Sequence, residues 1–219
     1  MATLLLGMLA GLSAPWQTAQ AACQRSTTPP ELEVNIVPWQ IRYDYTRSQA
    51  ELSALVERHS WLSAGHSARG LYQAELMHRY LIEFDEEVGG WTSPNCLAVS
   101  RVAVDLTYFQ PTIFLAKELA WARCVAIEVR KHEQKHARVD RDMMDWLGQL
   151  MRGELVKWVG IRAPTAVDDL ETAKARHDAE LKTKIEQVIN LYVSERNKRQ
   201  LAIDTPEEYA RIDAACPHN

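Results

Sequence analysis

The sequence lacks an excess of positive charge, and its few cysteines form no C-x-x-C motif. Its 219 residues include 25 Lys and Arg against 29 Asp and Glu, which gives a net charge of −4 at pH 7. Binding to a nucleic-acid backbone normally requires a basic surface, so we expect no nucleic-acid partner. Without C-x-x-C, neither a thiolate metal site nor a thioredoxin-like centre is expected. No internal repeat or low-complexity segment is present, which favours one ordinary globular domain.

The start of the chain is typical of a secretory signal peptide. Residues 1–22 hold an apolar run that is followed by a small-x-small cleavage site ending at Ala21. The run is too short to remain as a membrane span, so we expect a periplasmic or secreted protein with a single mature domain at 23–219. No Lys or Arg precedes the run, which leaves an atypical signal or an upstream start as alternatives. Lipidation of Cys23 is disfavoured because Gln20 replaces the usual aliphatic residue.

All four cysteines follow the predicted cleavage site, and an even number in an exported chain predicts disulfides. Four cysteines allow three pairings. Cys96 opens a predicted strand and Cys124 lies two helical turns before His132, so we favour a Cys96–Cys124 bond. Cys23 would then join Cys216. The alternative is that one of these pairs remains reduced.

Hydrophobic periodicity predicts three strands. Apolar residues alternate from Leu32 to Tyr45 with a bulge at Pro38, and they alternate again in the stretches Leu76–Phe84 and Val102–Tyr108. The turn-like residues between the last two stretches suggest that these strands pair antiparallel. Pro111 is expected to end the sheet.

Helical patterns fill most of the remaining sequence. A short helix is predicted to begin at the capping box of Ser48 and Glu51 and to end before Gly65. Two long amphipathic helices are predicted at about 113–151 and 167–199, and a short one after Thr205. We therefore expect an α+β fold in which a small antiparallel sheet of about three strands packs on two long antiparallel helices.

The first long helix contains an H-E-x-x-H motif at His132, Glu133 and His136. Residues four apart lie on one helix face, so both imidazoles can bind one Zn²⁺ ion while Glu133 takes a proton from water as general base. Glu128 and Asp140 lie one turn before and one turn after the histidines, where they could accept the free ring N–H of each ligand. The alternative is that both histidines are structural residues of the core.

The order of these elements resembles the zincin metalloprotease architecture. The run from Tyr43-Asp44-Tyr45 through Cys96, the strand Val102–Leu106 and the H-E-x-x-H helix resembles more closely a family of uncharacterised secreted bacterial proteins labelled zinc-dependent proteases. The likeness covers most of residues 33–210. It implies a zincin-like fold and a peptidase that hydrolyses protein or peptide substrates with zinc and with Glu133 as general base.

The same resemblance suggests which residue is the third metal ligand. The family tends to close with an Asp, Thr and His cluster after the second long helix, and here Asp204 and Thr205 are followed by two glutamates. We therefore favour Glu207 as the third ligand. His177 competes with it, because it interrupts the apolar stripe of the second long helix. The remaining alternatives are no third ligand, or one of Glu208, Asp140 and Glu171.

Other roles stay open at this point. A zinc peptidase normally has a donor that stabilises the oxyanion, for which the candidates are His78, Tyr192 and Tyr209. Glu133 and His136 also form the Glu-x-x-His pair of di-iron proteins, but no second copy of that pair is present. The main alternative to an enzyme is a non-catalytic exported binding or assembly protein that retains a zincin-like fold. The sequence does not predict the oligomeric state.

Overall fold

The computed structural model describes Cys23 and residues 29–57, 68–91 and 93–216. The predicted signal peptide at 1–22 lies outside the described residues, and so does the predicted end of the first helix near Gly65.

The described residues form five strands, four α-helices and one 3₁₀ helix. The strands are β1 (Glu31–Ile36), β2 (Arg42–Asp44), β3 (Gly70–Glu87), β4 (Asn95–Leu115) and β5 (Thr165–Val167). The α-helices are α1 (Gln49–Glu57), α2 (Arg123–Gly160), α3 (Leu170–Leu201) and α4 (Pro206–Ala214), and the 3₁₀ helix (Lys117–Trp121) precedes α2.

The sheet is built around β4. Strand β3 pairs antiparallel with β4 along nearly its whole length, whereas β1, β2 and β5 follow one another along the opposite edge. Both β1 and β2 run parallel to β4. The predicted fold, a three-stranded antiparallel sheet on two long helices, is therefore wrong, because the sheet has five strands and is mixed. The stretch interpreted as one strand with a bulge divides around Pro38 into β1 and β2.

Strand β4 also continues past Pro111, contrary to the prediction. The register between β3 and β4 shifts by one residue between Gln73 and Glu75, and Gln110 opposite this shift has a φ of 41°. Pro111 thus lies at a bulge, where a residue without an N–H group is tolerated. As a consequence Ile113 belongs to β4, and α2 begins only at Arg123.

The long helices α2 and α3 pack against one face of the sheet and run antiparallel to each other. Side chains of α2 from Met143 to Leu155 and of α3 from Leu181 to Tyr192 meet the inward side chains of β4 in a hydrophobic core. The inward positions of β4 include Val102, Val104 and Leu106, which are fully buried. Burial of these apolar surfaces stabilises the C-terminal half of α2.

A second core surrounds the N-terminal half of α2. It combines Leu52 of α1, Ile113 and Leu115 at the end of β4, Leu119 of the 3₁₀ helix and Ile212 of α4. This packing brings α4 beside the turn of α2 that carries the H-E-x-x-H motif.

The structure contains two disulfides, Cys23–Cys96 and Cys124–Cys216. The predicted pairings, Cys96–Cys124 and Cys23–Cys216, are both wrong. With a rise of about 3.3 Å per residue, the long β4 strand places Cys96 roughly 60 Å from its other end at Leu115, which leads towards α2. Two disulfides fit an exported protein, as expected. Among the residues that the structure describes, no helix combines the length and the apolar character that a membrane span requires.

Candidate metal centre

Three potential ligand atoms converge beside the middle of α2. His132 and His136 are buried on one face of this helix, and their Nε2 atoms lie 3.3 Å apart. Asp204, in the short connection between α3 and α4, places Oδ1 at 3.2 Å from each of these nitrogens. Thr205 helps to set this connection, because its side chain caps α4 by accepting a hydrogen bond from the backbone N–H of Glu208.

The triangle formed by these atoms fits one face of a tetrahedral zinc site. Ligand atoms at the usual zinc distances of about 2.0–2.1 Å are roughly 3.3–3.4 Å apart when the geometry is tetrahedral. The three sides measured here are 3.2, 3.2 and 3.3 Å. Two imidazoles and one carboxylate with an open fourth position form a donor set used by catalytic zinc sites.

The outer nitrogens of both rings contact acceptors, which supports the same assignment. His136 Nδ1 lies 2.6 Å from the side-chain amide oxygen Oε1 of Gln200, and His132 Nδ1 lies 3.4 Å from a carboxylate oxygen of Glu208. A hydrogen on each Nδ1 satisfies these contacts and leaves an Nε2 lone pair on each ring. Two nitrogen lone pairs and the Asp204 oxygen then point at one place, where a cation would relieve their repulsion. The residues therefore fit Zn²⁺.

The carboxylate of Glu208 forms ion pairs with two basic side chains. Lys135 donates to its Oε1 at 2.6 Å, and Arg211 contacts both of its oxygens at 2.9 and 3.0 Å. Led by the hydrogen bonds from Arg211, these contacts lower the pKa of Glu208 to about 2. Glu208 is therefore a stable anionic partner for His132.

The residues predicted to support the two rings have other partners. Asp140 binds Arg196 and Gln200, so Gln200 lies between Asp140 and the ring of His136. Glu128 binds Lys131 and Arg211. The predicted direct contacts of Glu128 and Asp140 with the histidines are thus wrong, and Glu208 and Gln200 take these places. Sequence patterns did not indicate Gln200, because a glutamine near the end of a polar helix carries no motif.

Glu133 is buried next to the three ligand atoms. Burial raises the pKa of its carboxyl group, while the two neighbouring histidines act in the opposite direction. The backbone of Tyr72 in β3 acts on this pKa in the same direction as the histidines. The start of β3 passes so close that a methyl group on Gly70 would lie 2.6 Å from Glu133 Oε1. The fold therefore holds this carboxylate between α2 and β3.

A cavity of about 770 Å³ adjoins the site. Its polar wall includes His132, Glu133, His136, Asp204 and Tyr209, and its apolar wall comes from α1, the start of β3, α2 and α4. The Tyr209 hydroxyl donates to Asp204 Oδ1 at 2.9 Å. Burial opposes ionisation of Asp204, but its contacts with the two histidines and with the Tyr209 hydroxyl outweigh it and hold the pKa of this carboxyl well below its usual range. Asp204 is thus an anion that faces the cavity.

The two residues favoured for the third ligand lie elsewhere. Glu207 is solvent-exposed in the first turn of α4, where an acid complements the helix dipole. His177 of α3 packs beside Phe84 and Trp158. At about 1.5 Å per residue, Trp158 is roughly 39 Å from His132 along α2. The preference for Glu207 and His177 is therefore wrong, and the structure places Asp204 in the triangle.

The candidates for oxyanion stabilisation are also separated by the fold. Tyr209 lines the cavity, and its ring lies 5.6 Å from that of His132. Tyr192 is fully buried, and its hydroxyl bonds to that of Tyr108 in the core. His78 is exposed on β3 opposite Leu106. Tyr209 is thus the candidate that a molecule in the cavity can reach.

Comparison with protein-family models, with curated proteins and with solved structures found no match.

Proposed function

We propose that this protein is an exported zinc-dependent peptidase in which His132, His136 and Asp204 hold the ion. The observation that supports this proposal best is the triangle of Nε2, Nε2 and Oδ1 atoms with sides of 3.2–3.3 Å. The buried carboxylate of Glu133 next to the triangle supplies the second part of a hydrolytic site. The substrate class, a peptide or protein, is inferred from the resemblance in sequence to zinc-dependent proteases.

Zinc, when bound, acts as a Lewis acid and makes water acidic enough to lose a proton near neutral pH. Glu133 accepts a proton from the water that attacks the carbonyl carbon of the peptide. It then donates this proton to the leaving nitrogen as the C–N bond breaks, so that the carboxylate is regenerated. Glu133 therefore serves first as base and then as acid.

Tyr209 is proposed to turn its single hydroxyl hydrogen away from Asp204 Oδ1, which the ion would take up, and to donate it to the substrate oxygen on which negative charge develops. Burial raises the pKa of Tyr209, with the charge of Asp204 acting in the same direction. The phenol therefore stays protonated and able to donate at neutral pH.

The proposal is tested with a peptide-library digest read by mass spectrometry, using zinc-loaded parent protein and the Glu133→Gln variant. We expect the parent to cleave peptides and Glu133→Gln to lose about 10²- to 10⁴-fold in rate while its zinc content is unchanged. The matched control is Glu207→Gln, which changes an exposed carboxylate in the neighbouring helix α4 and should cleave as the parent does.

Two results would contradict this proposal. If the fully zinc-loaded parent leaves every peptide intact, the protein is better described as a non-catalytic exported binding or assembly protein. If Glu133→Gln cleaves as fast as the parent, Glu133 is not the base.

A further inference from the structure

The Nδ1 atom of His136, which faces away from Asp204, contacts a side-chain amide and not a carboxylate. The side chain of Gln200, near the end of α3, is buried, and its Oε1 lies 2.6 Å from His136 Nδ1. Its Nε2 lies 3.1 Å from the backbone oxygen of His136 and 2.6 Å from Asp140 Oδ1. Gln200 therefore contacts the ring and the backbone of the same histidine.

These partners fix the direction of the amide. The backbone oxygen of His136 is an acceptor, and so is an ionised Asp140 carboxylate, so together they take both hydrogens of the Gln200 NH₂ group. Turning the amide by 180° would set its oxygen against the Asp140 oxygen at hydrogen-bond distance. The only orientation without such repulsion points Oε1 at His136 Nδ1.

Both oxygens of Asp140 accept hydrogen bonds from an arginine. Arg196 of α3 donates from Nε and Nη2 to the two oxygens of Asp140 at 2.7 and 2.8 Å. Asp140 is fully buried, and a two-point contact of this kind fixes the position and the plane of a carboxylate. The order of contacts is therefore Arg196 to Asp140, Asp140 to Gln200, and Gln200 to His136.

We propose that Gln200 is the positioning residue that holds His136 as the Nδ1–H tautomer, and that the Asp140–Arg196 pair sets the direction of the Gln200 amide. Asp204 competes for the ring hydrogen from the other side, but a hydrogen at Nε2 would leave Nδ1 and Gln200 Oε1 as two acceptors only 2.6 Å apart. Nε2 is thereby left free as a ligand. This consequence for metal binding rests on the proposed function.

An amide suits position 200 better than a carboxylate because the Asp140 carboxylate lies beside it. A glutamate in place of Gln200 could still accept from Nδ1, but its second oxygen would face Asp140 Oδ1 and the backbone oxygen of His136. A neutral amide accepts from the ring and donates to Asp140 at once. We therefore expect Gln200→Glu to keep the tautomer while it weakens the junction between α2 and α3.

The experiment measures the His136 tautomer by long-range ¹H–¹⁵N correlation NMR on the metal-free full chain, at a pH where the ring is neutral. The same proteins are then titrated with zinc against a chromophoric chelator. The variants are Gln200→Met, which is similar in size but has neither amide group, and Gln200→Glu. Gln187→Met, at an exposed position of the same helix, is the matched control.

We expect Nδ1–H in the parent, in Gln200→Glu and in Gln187→Met, and loss of this preference in Gln200→Met. Zinc affinity should fall about 10- to 100-fold in Gln200→Met. The loss in Gln200→Glu should be smaller, and Gln187→Met should bind zinc as the parent does. An Nε2–H tautomer in the parent, or an unchanged Nδ1–H tautomer in folded Gln200→Met, would overturn the inference.

The parent spectrum decides the inference even if Gln200→Met does not fold. If the parent binds no zinc but shows Nδ1–H, the proposed function fails while the positioning of His136 by Gln200 stands.

Discussion

Asp204 provides the third atom of the candidate metal centre, which α2 cannot supply. Its Oδ1 accepts from the Tyr209 hydroxyl at 2.9 Å and lies 3.2 Å from both imidazole nitrogens. Because it lies in the connection between α3 and α4, its position depends on how α3 ends. The candidate metal centre is therefore shared between the H-E-x-x-H helix and the C-terminal part of the chain.

Gly70 is the residue that allows Glu133 to lie against β3. A methyl group at this position would lie 2.6 Å from both Glu133 Oε1 and Val129 Cγ1, closer than van der Waals contact permits. We expect Gly70→Ala to displace the Glu133 carboxylate and to destabilise the fold by about 1–3 kcal/mol. Peptide cleavage should fall, whereas zinc stoichiometry should stay at the parent value because no ligand atom is touched. Denaturant unfolding, zinc analysis and the peptide digest measure these effects.

The control for this substitution is Gly153→Ala in α2, where the added methyl group meets nothing within 4 Å. It should be stabilising by about 0.5–1 kcal/mol, because alanine favours the helix more than glycine does. Full cleavage activity in Gly70→Ala would show that this close contact does not position Glu133.

Among the helices and strands, α4 completes the candidate site although few of its own side chains are buried. It contains nine residues, of which Ile212 is buried. Arg211 links it to Glu128 of α2 at 2.8 Å, and Cys216, just after the helix, is bonded to Cys124. A bond that closes a separation of 92 residues contributes about 4–5 kcal/mol in the chain-entropy treatment. This disulfide therefore keeps α4 in contact with α2.

We expect the double variant Cys124→Ser/Cys216→Ser to bind zinc more weakly than the parent. Without the bond, α4 and the preceding connection can separate from α2, which moves Asp204 and Glu208 away from the histidines. Zinc titration against a chelator measures the change.

The matched control is Cys23→Ser/Cys96→Ser, which removes a bond closing a similar separation of 73 residues at the distant end of β4. It should lower the stability to denaturant by a similar amount but leave zinc affinity unchanged. Equal zinc affinity in both double variants and the parent would contradict the role given to Cys124–Cys216.

Local sequence patterns were sufficient to predict some of the helices and strands. Amphipathic periodicity indicated the two long helices, and the turn-like residues between two predicted strands indicated the antiparallel pairing of β3 with β4. It did not indicate that β1 and β2 run parallel to β4, because strand orientation depends on contacts between residues far apart in sequence. The wrong disulfide pairing has the same origin, since it assumed a short β4 that ends near Tyr108.

The residues of the candidate site also differ in whether the sequence could predict them. His132, Glu133 and His136 are related by helical spacing, so a motif places them on one helix. Asp204 is 68 residues from His136, and its position is set by the packing of α3 on α2. Gln200 and Arg196 belong to a helix rich in polar residues, and sequence alone gave no reason to separate them from its solvated side chains.

For the molecule as a whole, α2 connects two hydrophobic cores. Its N-terminal half packs with α1, the end of β4 and α4, and its C-terminal half packs with α3 and the centre of the sheet. The histidines lie between these regions, and the cavity opens beside them. A ligand that binds only this folded arrangement also stabilises it. The proposed metal binding would therefore stabilise the contacts of α2 with both cores.

Zinc content is the most direct measurement of this account. Native mass spectrometry of protein prepared without chelator should give about one zinc per chain for the parent and for Glu207→Ala, and far less than one for Asp204→Ala. The pair is matched, because both variants remove a carboxylate from the same short region. Parent-like zinc content in Asp204→Ala, or a parent that binds no zinc, would contradict the claim that His132, His136 and Asp204 form the metal centre.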